Sequence, residues 1–130
     1  MKDSKIAICL YGISKTVDSR GIVVDWKDSF FSFQNIINNF GDQVDFFVHT
    51  WSTQEYDNLV RAFNPKKIKT EESIFPNYNH PIIAERFPHS NGYDMQTKTQ
   101  AMYSKWDSER KSIMLKQKYE KEQNFKYDFV

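Results

Sequence analysis

Two unbroken apolar runs constrain this 130-residue chain more than anything else in it. The first is Lys5-Ile6-Ala7-Ile8-Cys9-Leu10-Tyr11, closed by Gly12; the second is Val44-Asp45-Phe46-Phe47-Val48-His49-Thr50-Trp51. A strand with one wet face alternates apolar and polar residues. A run without that alternation fits a strand covered on both faces, as in a parallel sheet between helices. The intervening sequence agrees. Phe30, Phe33, Ile36, Ile37 and Phe40 recur at helical spacing, with Asp28 or Ser29 as the cap and Gly41 as the stop. Thr53 resembles an N-cap for a helix carrying Tyr56, Leu59, Val60 and Phe63 on one side, which Asn64-Pro65 ends. Lys67-Ile68-Lys69-Thr70-Glu71 is a weaker candidate for a third strand. Strand, helix, strand, helix, strand at these intervals predicts successive right-handed βαβ units. The fold class expected is α/β: a three-layer α/β/α sandwich with a mostly parallel sheet, in one domain spanning residues 1–130.

Other stretches fit less regular structure. Residues 12–28 are polar, contain Gly21 and read as a loop. Residues 72–98 hold Pro76, Pro81 and Pro88 and read as a long loop rich in aromatics, among them Phe75, Tyr78, Phe87 and Tyr93. Those rings suit either stacking on a base or sugar, or a satellite core beneath the loop. A long helix is expected from about Thr97 to Lys121, with Met102, Trp106 and Ile113 as its core stripe and Asn124 at its end. Phe125 to Val130 looks like the beginning of a strand, and a chain that stops there reads as a fragment of a longer domain.

Composition removes several classes of function. Eighteen basic and 17 acidic residues leave a net charge of +1, without the cationic footprint of a nucleic-acid-binding protein. The densest basic patch, Pro65-Lys66-Lys67-Ile68-Lys69, is answered at once by Glu71 and Glu72. Aromatics make up 16% of the chain, enough large side chains to argue against disorder. No stretch approaches the roughly 20 apolar residues of a membrane span, and the N-terminus lacks the features of a secretory signal. The single cysteine, Cys9, cannot form an internal disulfide, fits a cytoplasmic setting, and reads as a small buried hydrophobe.

Familiar catalytic motifs are missing: no phosphate-binding Gly-rich loop, no His-Glu-x-x-His, no Gly-x-Ser-x-Gly. His49, His80 and His89 lie in different elements and match no zinc spacing. Sites in open α/β sheets gather at the carboxyl ends of strands. That rule selects Gly12, Ser14, Lys15 and Thr16 after the first strand and His49, Thr50 and Trp51 at the end of the second. Gly12 permits a sharp turn, Ser14 and Thr16 offer hydroxyls, and Lys15 suits a phosphate. His49, Thr50 and Trp51 add hydrogen-bonding groups and a stacking surface. Read separately, each stretch also fits a plain structural role, as a polar turn or as a His and Trp packed at the base of a helix. Together they favour a small-molecule pocket.

Lys5 to Thr16, as a hydrophobic strand followed by Gly, two variable positions, a basic residue and Thr, resembles the opening of a family of microbial and viral proteins assigned as glycosyltransferases. Asp45-Phe46-Phe47-Val48-His49-Thr50-Trp51 resembles that family's second strand, and Pro65-Lys66-Lys67-Ile68 its third. Gln100-Ala101-Met102-Tyr103-Ser104 and Lys118 to Val130 resemble the helix and strand that follow. The resemblance implies a Rossmann-like, GT-A-like fold and a nucleoside-diphosphate sugar as ligand, held by Gly12, Ser14, Lys15, Thr16, His49, Thr50 and Trp51. Lys15 stands where the family more often has Arg. The family's last strand runs on into an Arg- and Asp-containing stretch, the counterpart of a metal-binding motif, which lies beyond Val130. No cofactor is therefore expected within this chain, Mn²⁺ or Mg²⁺ belonging to a longer enzyme, and the chain alone is expected to transfer no sugar. Apolar surface left without its cover would favour a homo-oligomer. The alternative is a non-catalytic nucleotide-fold module that acts by self-association or through a protein partner.

Overall fold

The computed structural model describes residues 4–12, 15–17, 21–72 and 92–130. The first apolar run forms β1 (Ile6–Gly12), and a short antiparallel pair, β2 (Lys15–Val17) and β3 (Val23–Asp25), follows it. Then come α1 (Phe30–Phe40), β4 (Val44–Thr50), α2 (Tyr56–Phe63), β5 (Lys67–Thr70) and the long helix α3 (Gly92–Gln123). Strands β1, β4 and β5 form a parallel sheet in that order. Ile6 lies opposite Val44 and Gly12 opposite Thr50, so the two apolar runs end level with each other. On the other flank of β1, Phe129 makes a parallel bridge to Ile6, and its carbonyl accepts the Ala7 amide at 2.9 Å. Of the expected C-terminal strand, residues 125–130 show this isolated bridge and no strand.

The absence of alternation in the strands has the meaning assigned to it. Successive residues of β4 point to opposite sides, and both sides are covered. Val44, Phe46 and Val48 join Leu59 and Phe63 of α2, with Ile6, Ile8 and Leu10 of β1 and Phe30, Phe33, Ile36 and Ile37 of α1 packed around them. Phe47 faces the other way, with Ala7, Cys9 and Tyr127, against Leu115 and Tyr119 of α3. Phe63 is the hub of the first cluster: its ring meets Trp26, Phe30, Phe33 and Phe46 at centroid distances of 5.1–5.6 Å. Burial of Cys9 in the second cluster pushes its thiol pKa up, which fits a packing role.

Several local expectations are corrected. Residues 12–28 are not simply a loop, since β2 and β3 lie within them and a 3-10 turn at Trp26–Ser29 begins there. Asp25, not Asp28 or Ser29, supplies the capping carboxylate: it accepts the Lys27 amide and opens that turn, whereas the Ser29 side chain makes no cap bond to α1. Gly41 does stand where α1 stops, in an ordinary right-handed conformation, and leads into another 3-10 turn. Thr53 likewise starts a 3-10 turn rather than capping α2. Asn64 and Asn124, both left-handed, do end their helices. Helix α3 begins at Gly92, inside the stretch expected to be a loop; residues 73–91 of that stretch lie outside the described residues.

The largest correction concerns α3. Met102 and Trp106, expected in the core, are 44% and 51% exposed. Towards the sheet the helix instead presents Ser108 and Ser112, both fully buried, followed by Leu115 and Tyr119. Small side chains allow the helix to lie close across the ends of β1 and β4, where a Trp or Met would hold it away.

Replacing Phe63 by Ala removes the ring that joins α1, α2 and β4. A loss of about 3–5 kcal/mol is expected, measured by urea unfolding at constant m-value. Phe31→Ala, at a position 74% exposed, should change stability by less than about 0.5 kcal/mol.

Candidate functional site at the carboxyl ends of the strands

Gly12 ends β1 at φ +106°, a conformation that glycine adopts and other residues resist. Its peptide group is held from both sides. The carbonyl accepts the Thr50 hydroxyl at 2.8 Å and the Trp51 amide at 3.2 Å, both from the end of β4. The amide donates to Ser108 Oγ of α3 at 2.8 Å. Thr50 Oγ1 also accepts the Ser52 amide, so this one hydroxyl fixes the chain on leaving both strands.

His49 is fully buried beside this turn. Its Nδ1 lies 2.6 Å from Ser108 Oγ and its Nε2 2.9 Å from Glu71 Oε1, just beyond β5. The carboxylate can only accept, so Nε2 carries the ring proton and donates it to Glu71. Nδ1 is then the acceptor, and the Ser108 hydroxyl donates to it. A directed chain results, from the Gly12 amide through Ser108 and His49 to Glu71. Lys111 of α3 closes it, with Nζ 3.0 and 3.2 Å from the two Glu71 oxygens, 3.2 Å from Asp107 and 4.9 Å from the centre of the Trp51 ring. Lys69 reaches Glu71 at 3.4 Å, and Arg110 pairs with Asp107 at 2.9 Å. The Trp51 ring stands edge-on to His49 at 4.7 Å, and its Nε1 donates to the Ser104 carbonyl at 3.3 Å.

The charges respond to this arrangement. Burial by itself would raise the Glu71 carboxyl, but the hydrogen bonds from His49 and Lys111 and the charges of Lys111 and Lys69 outweigh it and hold the pKa at about 2. Burial pushes the His49 imidazole below its ordinary value despite the opposing pull of Glu71. Burial would lower Lys111, yet its bonds to Glu71 and Asp107 hold it above the usual range.

Serine, histidine and carboxylate within hydrogen-bond reach of one another have the composition of a hydrolytic triad. The setting gives them another role. Ser108 is fully buried in mid-helix, and its oxygen already accepts a backbone amide. A nucleophile must meet its substrate, and this hydroxyl meets only protein. The constellation is therefore a structural tie.

Of the residues selected by strand-end reasoning, Gly12, His49, Thr50 and Trp51 converge. His49 and Thr50 do so as buried groups engaged with protein partners, so they frame the edge from within. Lys15 and Thr16 belong to β2, paired with Asp25 and Val24, and not to an open loop; Ser14 lies outside the described residues. Glu71, Asp107, Ser108 and Lys111 were missed. Glu71 follows β5 at the same edge, so the strand-end rule applied to the third strand would have found it. Ser104, Ser108 and Ser112 recur every four residues, a pattern outweighed by the more conspicuous Met102 and Trp106. An open cleft of about 780 Å³ lies at the opposite, amino end of the strands, between Lys5, Asp45, Lys66 and Asp128 among others. Among the described residues no group of three or more His, Cys, Asp or Glu is placed to hold a metal ion. No helix among them is long and apolar enough to cross a membrane.

A scan against protein-family models, a search of curated proteins and a search of solved structures each gave no match to this chain.

Because the Glu71 carboxyl is more acidic in the folded chain than its ordinary value of 4.5, its contribution to stability is complete above that pH and is lost as pH falls towards 2. Glu71→Gln is expected to destabilise the protein at pH 7 by about 1–3 kcal/mol. The gap between the variant and the parent should narrow below pH 4.5 in urea unfolding at a series of pH values. A gap independent of pH would mean that the carboxylate charge is not what stabilises.

Proposed function

We propose that the chain is a nucleotide-binding domain of glycosyltransferase-like type, a three-layer α/β/α sandwich that takes a nucleoside-diphosphate sugar at the carboxyl ends of β1 and β4. The observation that carries this reading is the order of the strands. β1 has β4 and then β5 on one side, reached in chain order, and Phe129 on the other. The direction of progression thus reverses at β1, and open α/β sheets bind ligands beyond the carboxyl ends at such a reversal. Gly12 stands at that point. Trp51 and Lys111 supply an aromatic surface and a positive charge nearby, the groups that suit a base and a phosphate. Ser14, Lys15 and Thr16, which follow the Gly12 turn in sequence, are the residues assigned to the diphosphate in this reading.

One observation favours a second reading, a non-catalytic module acting by self-association or through a protein partner. His49 and Thr50 have their hydrogen bonds within the protein, as expected of residues that shape a fold and bind nothing.

A thermal-shift series with nucleoside mono- and diphosphates and nucleotide sugars, with and without Mn²⁺, separates the two. The first reading predicts that at least one diphosphate raises Tm and that Trp51→Ala, if still cooperatively folded, loses the shift. No shift with any nucleotide, together with a concentration-dependent dimer in light scattering, would favour the second. No shift and a monomer at all concentrations would overturn both.

A further inference from the structure

We propose that the outer edge of β1 pairs with the same edge of a second copy of this chain, antiparallel about a two-fold axis at Leu10, and that α3 continues the contact above the sheet. This deepens the second reading of function, on which it rests, by giving self-association a surface. β1 has β4 on one side, and on the other Phe129 covers only its beginning. Phe129 accepts the Ala7 amide and donates to the Lys5 carbonyl at 3.3 Å, so the odd-numbered residues of β1 turn their peptide groups outward. Past that bridge, the amides and carbonyls of Cys9 and Tyr11 have no partner among the described residues. The side chains tell the same story. Ile8, Cys9 and Leu10 are half-buried, whereas Phe46, Phe47 and Val48, opposite them in β4, are buried. Both strands lie between the same helices, so what β1 lacks is a neighbour along the sheet. Nor is the edge blunted: Ile6–Gly12 holds no charge and no proline, the usual protections of a strand that stays unpaired.

The free length selects the occupant. Phe129 fills the lane beside Ile6, which leaves it open from Ile8 to Gly12. A second β1, turned antiparallel about an axis through Leu10, fits that length. Cys9 of each copy stands opposite Tyr11 of the other and exchanges both backbone bonds with it, so every free donor and acceptor just named is used. Leu10 meets Leu10, and Ile8 meets Gly12. The positive-φ turn at Gly12 then takes each chain out of the lane before it reaches Phe129 of the other copy.

The helix supplies an independent observation. One flank of α3 faces β5, where Lys111 bonds Glu71 and Glu122 pairs with Lys67. The opposite flank lies towards the free edge of β1: there Glu120 accepts the Tyr127 amide from the C-terminal segment beside that edge. Met102, Trp106 and Ile113 precede Glu120 at helical steps of four and seven and so continue that flank. These include the exposed Met102 and Trp106, which packing within one copy leaves without a role. α3 rests between β1 and β4, with Ser108 bonded to Gly12 of one and His49 of the other. Joining the two β1 edges at ordinary strand spacing therefore brings the two α3 axes to roughly 10 Å, the packing distance of helices, with these apolar flanks facing each other.

The test uses the full chain. Sedimentation over a concentration series gives the oligomeric state, and amide exchange is followed at both ends of the series. A reversible dimer is expected, in which the Cys9 and Tyr11 amides gain protection of about tenfold or more as the dimer fills. The Ile8 and Leu10 amides, turned towards β4, should be protected throughout. Cross-linking reads the register. In a Cys9→Ser background, Leu10→Cys should oxidise to a disulfide-linked dimer, because a non-hydrogen-bonded antiparallel pair stands about 4.5 Å apart at Cα; Ile8→Cys, set opposite Gly12, should not. Trp106→Glu, at an exposed position, should weaken the dimer about tenfold or more. Should Leu10→Cys not fold, exchange in the parent decides. A dimer whose Cys9 and Tyr11 amides stay unprotected would overturn the edge pairing and leave self-association standing through another surface. A monomer at all concentrations would overturn both. Cross-linking through Ile8→Cys but not Leu10→Cys would overturn the axis at Leu10.

Discussion

Everything at the carboxyl edge depends on one peptide group, that of Gly12. β1 ends there in a conformation unsuited to a side chain, and three bonds from two other elements fix it: Thr50 and Trp51 on its carbonyl, Ser108 on its amide. Strands of equal length and aligned register are the precondition, because only then does Thr50 stand opposite Gly12. Ser108 must in turn approach closely, which requires a helix face of small residues. The same hydroxyl fixes the tautomer of His49, which aims at Glu71, which holds Lys111. Backbone conformation, helix packing and the protonation state of a buried ring are therefore one linked problem.

Burial gives these polar contacts their weight. On the surface, the Glu71–Lys111 pair would contribute little, screened by solvent and opposed by side-chain entropy. Here the carboxylate also serves a fully buried imidazole, which without it would leave Nε2–H unsatisfied in a dry environment. The two aromatic and aliphatic clusters on the faces of the sheet supply that dry environment. The first, centred on Phe63, holds α1 and α2; the second, around Phe47, holds α3. The hydrogen-bonded tie lies beyond the end of the second cluster, on the same helix, so apolar packing fixes α3 along the strands and the polar tie fixes it at their ends.

The fold was legible where burial on two faces left its mark. Unbroken apolarity in β1 and β4 gave parallel neighbours, and the spacing of Phe30, Phe33, Ile36 and Ile37 gave α1. Features set by backbone hydrogen bonding alone were not legible. The β2–β3 pair has only three residues in each strand, too few to show a period. The caps failed for a related reason: Asp25, Asp28 and Ser29 are all competent, and the 3-10 turn before α1 decides which one is used. In α3, hydrophobicity misled. The strand-facing side is chosen by how closely the helix must approach, which favours serine, and Met102 and Trp106 are left outward.

The candidate site shows the same division. Strand-end reasoning found Gly12, His49, Thr50 and Trp51 because sheet topology alone brings them together. It left a structural role open for each stretch and favoured a pocket for them together, because a sequence does not reveal which polar side chains will find partners inside the protein. His49 illustrates the difference. Taken alone at a strand end it suits a ligand; opposite Ser108 and Glu71 it is satisfied at both ring nitrogens and has nothing left to offer one. Trp51 and Lys111 are the groups of this constellation that keep some exposure. The buried groups determine where those residues stand. Substitutions at Ser108 or His49 therefore act on the geometry of the edge, and through it on where Trp51 and Lys111 stand.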